Sequence, residues 1–175
     1  TGAMLAIVIA MALAITATAQ QKAPAAAPGK GKAMEATAGK WTEPAKANVD
    51  AAKKYVAIIQ TSKGTIDLEV TRVWAPLGAD RFISLVRAGY YDEARFFRVT
   101  PGKWAQFGIN GDPAAAKAWR ARTIPDDPFR QSNVRGTVAF AFAVPNGRTT
   151  QVFINLQDNS PTHDKEPFVP FGRIA

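Results

Sequence analysis

Hydrophobic and polar positions divide the chain into three unlike stretches. Residues 3–15, AMLAIVIAMALAI, form an unbroken apolar run. It is shorter than the roughly 20 residues of a bilayer span and suits the h-region of a secretory signal. Ala17-Thr18-Ala19 follows with the small-x-small spacing of a signal-peptidase site. Residues 1–19 are therefore expected to be a leader, with Gln20 opening the mature protein. Thr1-Gly2 carries no positive charge, so either Met4 is the start or the beginning is missing; an uncleaved anchor helix is the alternative. Residues 20–54 keep no apolar period and are rich in Ala, Lys, Pro and Gly, the composition of a flexible linker.

From Tyr55 the pattern becomes regular. YVAIIQT (55–61) is β-rich, and TIDLEV (65–70) alternates with Ile66, Leu68 and Val70 on one face. Around Ser62-Lys63-Gly64 this predicts a hairpin with one buried side. Pro76 suits the first position of a helix. Phe82, Leu85 and Val86 share its apolar face, Asp80, Arg81 and Arg87 lie elsewhere, and Gly89 stands at the left-handed position after it. RFFRV (95–99) and WAQFG (104–108) read as short strands around Pro101-Gly102, and residues 109–135 as a long turn-rich loop. TVAFAFA (137–143), QVFIN (151–155) and FVPFGRI (168–174) are further strands. The fold class is mainly β, an antiparallel barrel or sandwich.

Composition narrows the chemistry. There is no cysteine, which removes thiol nucleophiles, thiolate metal sites and disulfides together. The single histidine, His163, would have to serve any Ser-His-Asp hydrolase, and no GxSxG elbow is present. A zinc site would need carboxylates for most of its ligands. No metal site is expected, and the function must need neither histidine nor thiol, or break no bond at all. The net charge is +8, and residues 20–54 contribute seven lysines against three acids. With half the excess in a low-complexity stretch, the charge reads as a solvated tether with affinity for anionic surfaces, not as a nucleic-acid site.

The order of segments resembles the cyclophilin family over residues 55–174. The pieces that carry the resemblance are APLGADRFISLVRAGYYD (75–92), FFRVTPGKWAQFGINGD (96–112), RGTVAFAFAVPNGRTTQVFIN (135–155) and FVPFGRI (168–174). The family's FxRV-x-PG-x-x-x-Q-x-G-D stretch is matched with three extra residues before Asp112. The resemblance implies a closed antiparallel eight-stranded barrel with capping helices over residues 55–175. It also implies that this chain, stopping at Ala175 after FVPFGRI, lacks the final helix and strand. The implied activity is peptidyl-prolyl cis/trans isomerisation of proline-containing polypeptides, assisting the folding of exported proteins in a periplasm or outside the cell. The implied protein works as a monomer, without a cofactor, and meets a membrane only through its leader before cleavage. Two alternatives stay open: a module that binds Pro-containing peptides without accelerating rotation, and an envelope protein tethered through the basic linker.

Rotation about an X–Pro bond meets a barrier of about 18–20 kcal/mol, and cis costs only about 0.5–1 kcal/mol there. Catalysis needs a pocket for the proline ring and a donor near the imide nitrogen, whose lone pair localises as conjugation is lost. A permanently charged guanidinium suits that role. The resemblance implies Arg98 as the catalytic residue and Phe153 as the pocket floor. Gln106 and Gln151 would hold the substrate backbone or position the arginine, and Trp104 would be a wall. Ala141 and Ala143 would keep the groove open, Phe142 would meet substrate through its backbone, and Phe97 and Phe168 complete the implied binding set. Without the resemblance, Arg98 reads as a surface arginine, Phe153 as core and the glutamines as exposed. Lys103 stands where the family has a pocket phenylalanine and puts a charge at the groove. His163, in SPTHDKEP (160–167), reads as an exposed loop histidine.

Overall fold

The computed structural model describes residues 54–175. The expected leader (1–19) and the expected linker as far as residue 53 lie outside the described residues. The alternation after Tyr55 produces strands β1 (Tyr55–Thr61) and β2 (Gly64–Val70), paired from Tyr55↔Val70 to Thr61↔Gly64 around Ser62-Lys63. The Thr61 hydroxyl closes the turn by donating to the Gly64 carbonyl at 2.7 Å and accepting from the Lys63 N–H at 3.1 Å. Leu68 and Val70 are buried while Asp67 and Glu69 face solvent, as the alternation predicts.

Helix α1 (Pro76–Arg87) begins at Pro76. Its N-terminus is capped from 50 residues away: the Leu77 and Gly78 N–H groups donate to the two carboxylate oxygens of Asp127, each at 2.9 Å. Its other end closes on Gly89 (φ +67), whose N–H donates to Val86 O while the Tyr90 N–H donates to Leu85 O. This is a Schellman arrangement, and Leu85 and Tyr90 pack together beneath it. The buried face differs from the predicted one. Val86 is 42% exposed, and Arg81 is buried instead. Arg81 donates to the carbonyls of Arg122 (2.7 Å) and Thr149 (3.3 Å), which removes the cost of its burial.

Strands β3 (Arg98–Thr100) and β4 (Trp104–Phe107) form the second hairpin, and β3 starts three residues later than the pattern predicts. Residues 109–135 are not all loop: they contain helix α2 (Pro113–Arg120), capped by the Asp112 side chain accepting from the Ala114 N–H. Then come β5 (Thr137–Phe140), β6 (Val152–Asn155), the single turn α3 (Ser160–His163) and β7 (Pro170–Ile174).

The strands form one antiparallel sheet in the order β1-β2-β7-β5-β6-β4-β3. It curls around a core in which Phe82 of α1 meets Phe171 of β7 at 4.9 Å, and Phe171 meets Phe140 of β5 at 5.2 Å. The closed ring of eight strands implied by the resemblance is not formed among the described residues. There are seven strands, and the outer two, β1 and β3, are not paired with each other.

Candidate functional site

Strand register assembles the centre of the site. Arg98 of β3 is the direct partner of Gln106 of β4, and Gln106 is the direct partner of Phe153 of β6. Directly opposed residues share a face, and adjacent strands lie about 4.8 Å apart. The three side chains therefore form a row across the sheet, with Phe153 two strand spacings from Arg98. Trp104 stands two positions before Gln106, on the same face. The Arg98 guanidinium lies over its ring, 5.6 Å from the centroid.

These residues line a cavity of about 500 Å³ with Ala141, Phe142, Ala143, Gln151 and Phe168. That volume is in the range of small-ligand pockets. Nine of the ten expected site residues thus meet in one place. Gln106 donates its side-chain N–H to Gln151 Oε1 at 2.9 Å, and the Ala141 N–H donates to the Gln151 carbonyl at 2.9 Å. The two glutamines are one hydrogen-bonded unit, not separately exposed side chains. Gly108 lets β4 end against that unit. It sits at φ +105, and a Cβ there would lie 2.4 Å from the Thr150 carbonyl oxygen, so no other residue fits without moving the backbone.

Phe97 is the exception. It is 45% exposed and does not line the cavity. Its backbone N–H donates to Gln106 O, so side chains alternate from there, and Arg98 takes the cavity side while Phe97 turns away. Lys103 also departs from expectation. Its carbonyl accepts from the Leu156 N–H and from Asn159 Nδ2, its side chain is exposed, and it is not among the lining residues.

Four lining residues were not anticipated: Arg120, Gly147, Thr149 and His163. His163 is half-buried, not an exposed loop residue. Its ring packs on Phe168 (5.1 Å), Phe153 (5.4 Å) and Trp104 (5.4 Å), completing an aromatic box. A buried amide network sets this wall. Asn133 Nδ2 donates to Asp164 Oδ1 (2.9 Å) and to the Phe168 carbonyl (2.7 Å), and Asn155 Nδ2 donates to Asn133 Oδ1 (3.2 Å). Asn159 joins it through Asn155 Oδ1 at 2.7 Å, and its carbonyl accepts the His163 N–H at 2.9 Å.

Gly147 and Thr149 flank Arg148, which is 1% exposed and ion-paired to Asp127 at 3.0 Å. Asp126 stands 3.2 Å from Arg148 Nε, without hydrogen-bond alignment. The carboxylate that caps α1 thus also fixes this wall. Among the described residues, no group of three or more His, Cys, Asp or Glu side chains is placed to hold a metal ion.

Residues 55–175 match the family model described as cyclophilin type peptidyl-prolyl cis-trans isomerase/CLD. Peptidyl-prolyl cis-trans isomerase A of Dickeya dadantii is 31% identical over 122 residues, covering 67% of this chain and 64% of that protein. Peptidyl-prolyl isomerase CWC27 of Yarrowia lipolytica is 33% identical over 109 residues, covering 58% of this chain and 30% of that protein. The chain therefore spans just under two thirds of the first of these relatives and under a third of the second. A cyclophilin type isomerase of Cryptosporidium parvum has the same fold (TM-score 0.60, 22% identity, 70% of this chain and 78% of that one). It was also solved in the presence of the dipeptide Ala-Pro (TM-score 0.58). The described residues of the chain thus belong to the family of cyclophilin-type peptidyl-prolyl cis-trans isomerases.

Proposed function

We propose that the chain accelerates cis/trans rotation about X–Pro bonds in polypeptides. The observation that carries this reading is the row Arg98–Gln106–Phe153 inside an aromatic-walled cavity. The proline ring rests on Phe153, between Phe168, His163 and Trp104. As the C–N bond twists, conjugation is lost and the lone pair localises on nitrogen. Arg98, always charged, donates to it and stabilises the twisted state more than either planar isomer. Gln106 and Gln151 hold the peptide backbone or steer Arg98, Ala141 and Ala143 leave room for it, and Phe142 meets it through its backbone. No proton is transferred and no bond is broken, so neither a thiol, a general base nor a cofactor is called for.

The clients are taken to be exported proteins met in a periplasm or outside the cell by a monomeric enzyme. The apolar run 3–15 followed by Ala17-Thr18-Ala19 supports this. Fractionation tests it: a species beginning at Gln20 outside the cytoplasm is expected, and uncleaved cytoplasmic protein would refute it.

One observation favours a second reading, a module that holds Pro-containing peptides without catalysis: the Arg98 guanidinium is engaged by the Trp104 ring. NMR exchange spectroscopy on an Ala-Pro peptide separates the two. Faster isomer exchange at substoichiometric protein is expected. Shift perturbation of the peptide with no acceleration by folded protein would overturn the enzyme reading in favour of the binding one.

A further inference from the structure

Among the described residues, two guanidiniums line the cavity, Arg98 from β3 and Arg120 from the last turn of α2, and no carboxylate lines it with them. The proposed reaction uses only Arg98. Arg120 is exposed, and its side chain has no hydrogen bond, ion pair or ring contact among the described residues.

Its position is nonetheless fixed. The preceding residue, Trp119, is buried with its ring edge-on to Tyr90 at 5.9 Å. The guanidiniums of Arg81 and Arg122 lie 5.1 and 4.9 Å from the Trp119 centroid. The carboxylates near α2 are committed elsewhere. Asp127 holds Arg148 and the α1 N-terminus, Asp126 faces Arg148, and Asp112 caps α2. Residues 113–123 carry Lys117, Arg120 and Arg122 and no acid. Among the described residues, the Arg120 guanidinium therefore lines the cavity with no lining carboxylate to match it.

We propose that Arg120 is a specificity-determining residue that selects proline peptides carrying an Asp or Glu side chain near the proline. This rests on the isomerase reading. A guanidinium in a substrate cavity with no protein carboxylate is complemented by a carboxylate on the ligand. Arg120 and Phe153 line the same cavity, so the selected carboxylate lies within a few residues of the proline.

The test uses matched Ala-Pro peptides with Glu, Gln or Lys two or three residues before or after the proline. Catalysed exchange is compared in wild type, Arg120→Gln and Arg120→Glu. For at least one position, wild type is expected to turn over the Glu peptide about two- to fivefold faster than the Lys peptide at low salt, the scale of an exposed ion pair. The ratio is expected to shrink at high salt, to approach one in Arg120→Gln and to invert in Arg120→Glu. A wild-type ratio of one at every position, or a preference that survives both substitutions, would overturn the assignment. Acceleration of the Gln peptide leaves the isomerase reading standing in either case. If no peptide is accelerated, the isomerase reading fails, and the same ratios read as dissociation constants still decide whether Arg120 selects charge.

Discussion

The floor of the cavity and its walls are built by different means. Arg98, Gln106 and Phe153 hang from adjacent strands, and register alone lines them up. His163 comes from a single helical turn, and Phe168, Gly147 and Thr149 come from segments outside the strands. Those walls are set by buried polar contacts reaching across the sequence: Asp127 to Arg148 on one side, Asn133 to Asp164 and Phe168 on the other. A floor held by sheet pairing tolerates substitution wherever the alternation survives. A wall held by buried polar groups does not, because removing one partner leaves the other desolvated and unpaired.

Asp127→Ala should break that contrast most strongly. It uncaps α1 and leaves Arg148 buried beside the poorly aligned Asp126. A loss of about 3 kcal/mol is expected, the low end for breaking a buried pair because Asp126 remains. Urea denaturation measures it, and wild-type stability would mean the wall is held by something else.

Asn133→Ala should cost less, about 2 kcal/mol for the groups it leaves unsatisfied. It should also loosen the aromatic wall, seen as displaced or broadened His163 ring resonances with the Gln106 and Gln151 amides unchanged. Undisturbed His163 signals would break the link between network and wall.

The smallest effect is expected from Tyr91→Phe, behind the floor. The Tyr91 hydroxyl donates to the Thr150 carbonyl at 2.9 Å, a bond worth about 1 kcal/mol. Burial, and then the nearby Tyr90 phenol, push the Tyr91 hydroxyl well above the ordinary phenol value. The folded state thus favours the neutral form. This contribution is full below about pH 10, the unfolded value, and is lost as pH rises through the raised folded value. Wild type should lose stability above pH 10 with a slope that Tyr91→Phe lacks. Parallel urea midpoints for the two proteins from pH 9 to 11 would contradict it.

The same contrast explains what could be read from the sequence. The alternation of Ile66, Leu68 and Val70, the Pro76 and Gly89 punctuation of α1, and the motif around Arg98, Gln106 and Phe153 are local signals, and they led to the hairpin, the helix and the floor. What escaped depends on distant partners. Arg81 replaces Val86 in the buried face of α1 because the Arg122 and Thr149 carbonyls meet its guanidinium. His163 becomes a wall because Asn133, some 30 residues away, anchors the turn that carries it. Helix α2 was hidden because PAAAKAWR buries only Ala115 and Trp119, though Asp112 before Pro113 is a usable N-terminal signal. Phe97 lies off the cavity because the motif names a neighbourhood, while the strand's alternation decides which side chain enters the cavity.

The role of Arg98 is the point on which the proposed chemistry turns. Arg98 is exposed, so its removal should leave the fold intact. Catalysed exchange and the dissociation constant of one Ala-Pro peptide, measured for wild type and Arg98→Ala, test it directly. Donation to the twisted imide nitrogen predicts that exchange falls about 100-fold, the loss typical of one preorganised donor, with a far smaller change in affinity. Equal exchange by the two proteins would contradict it.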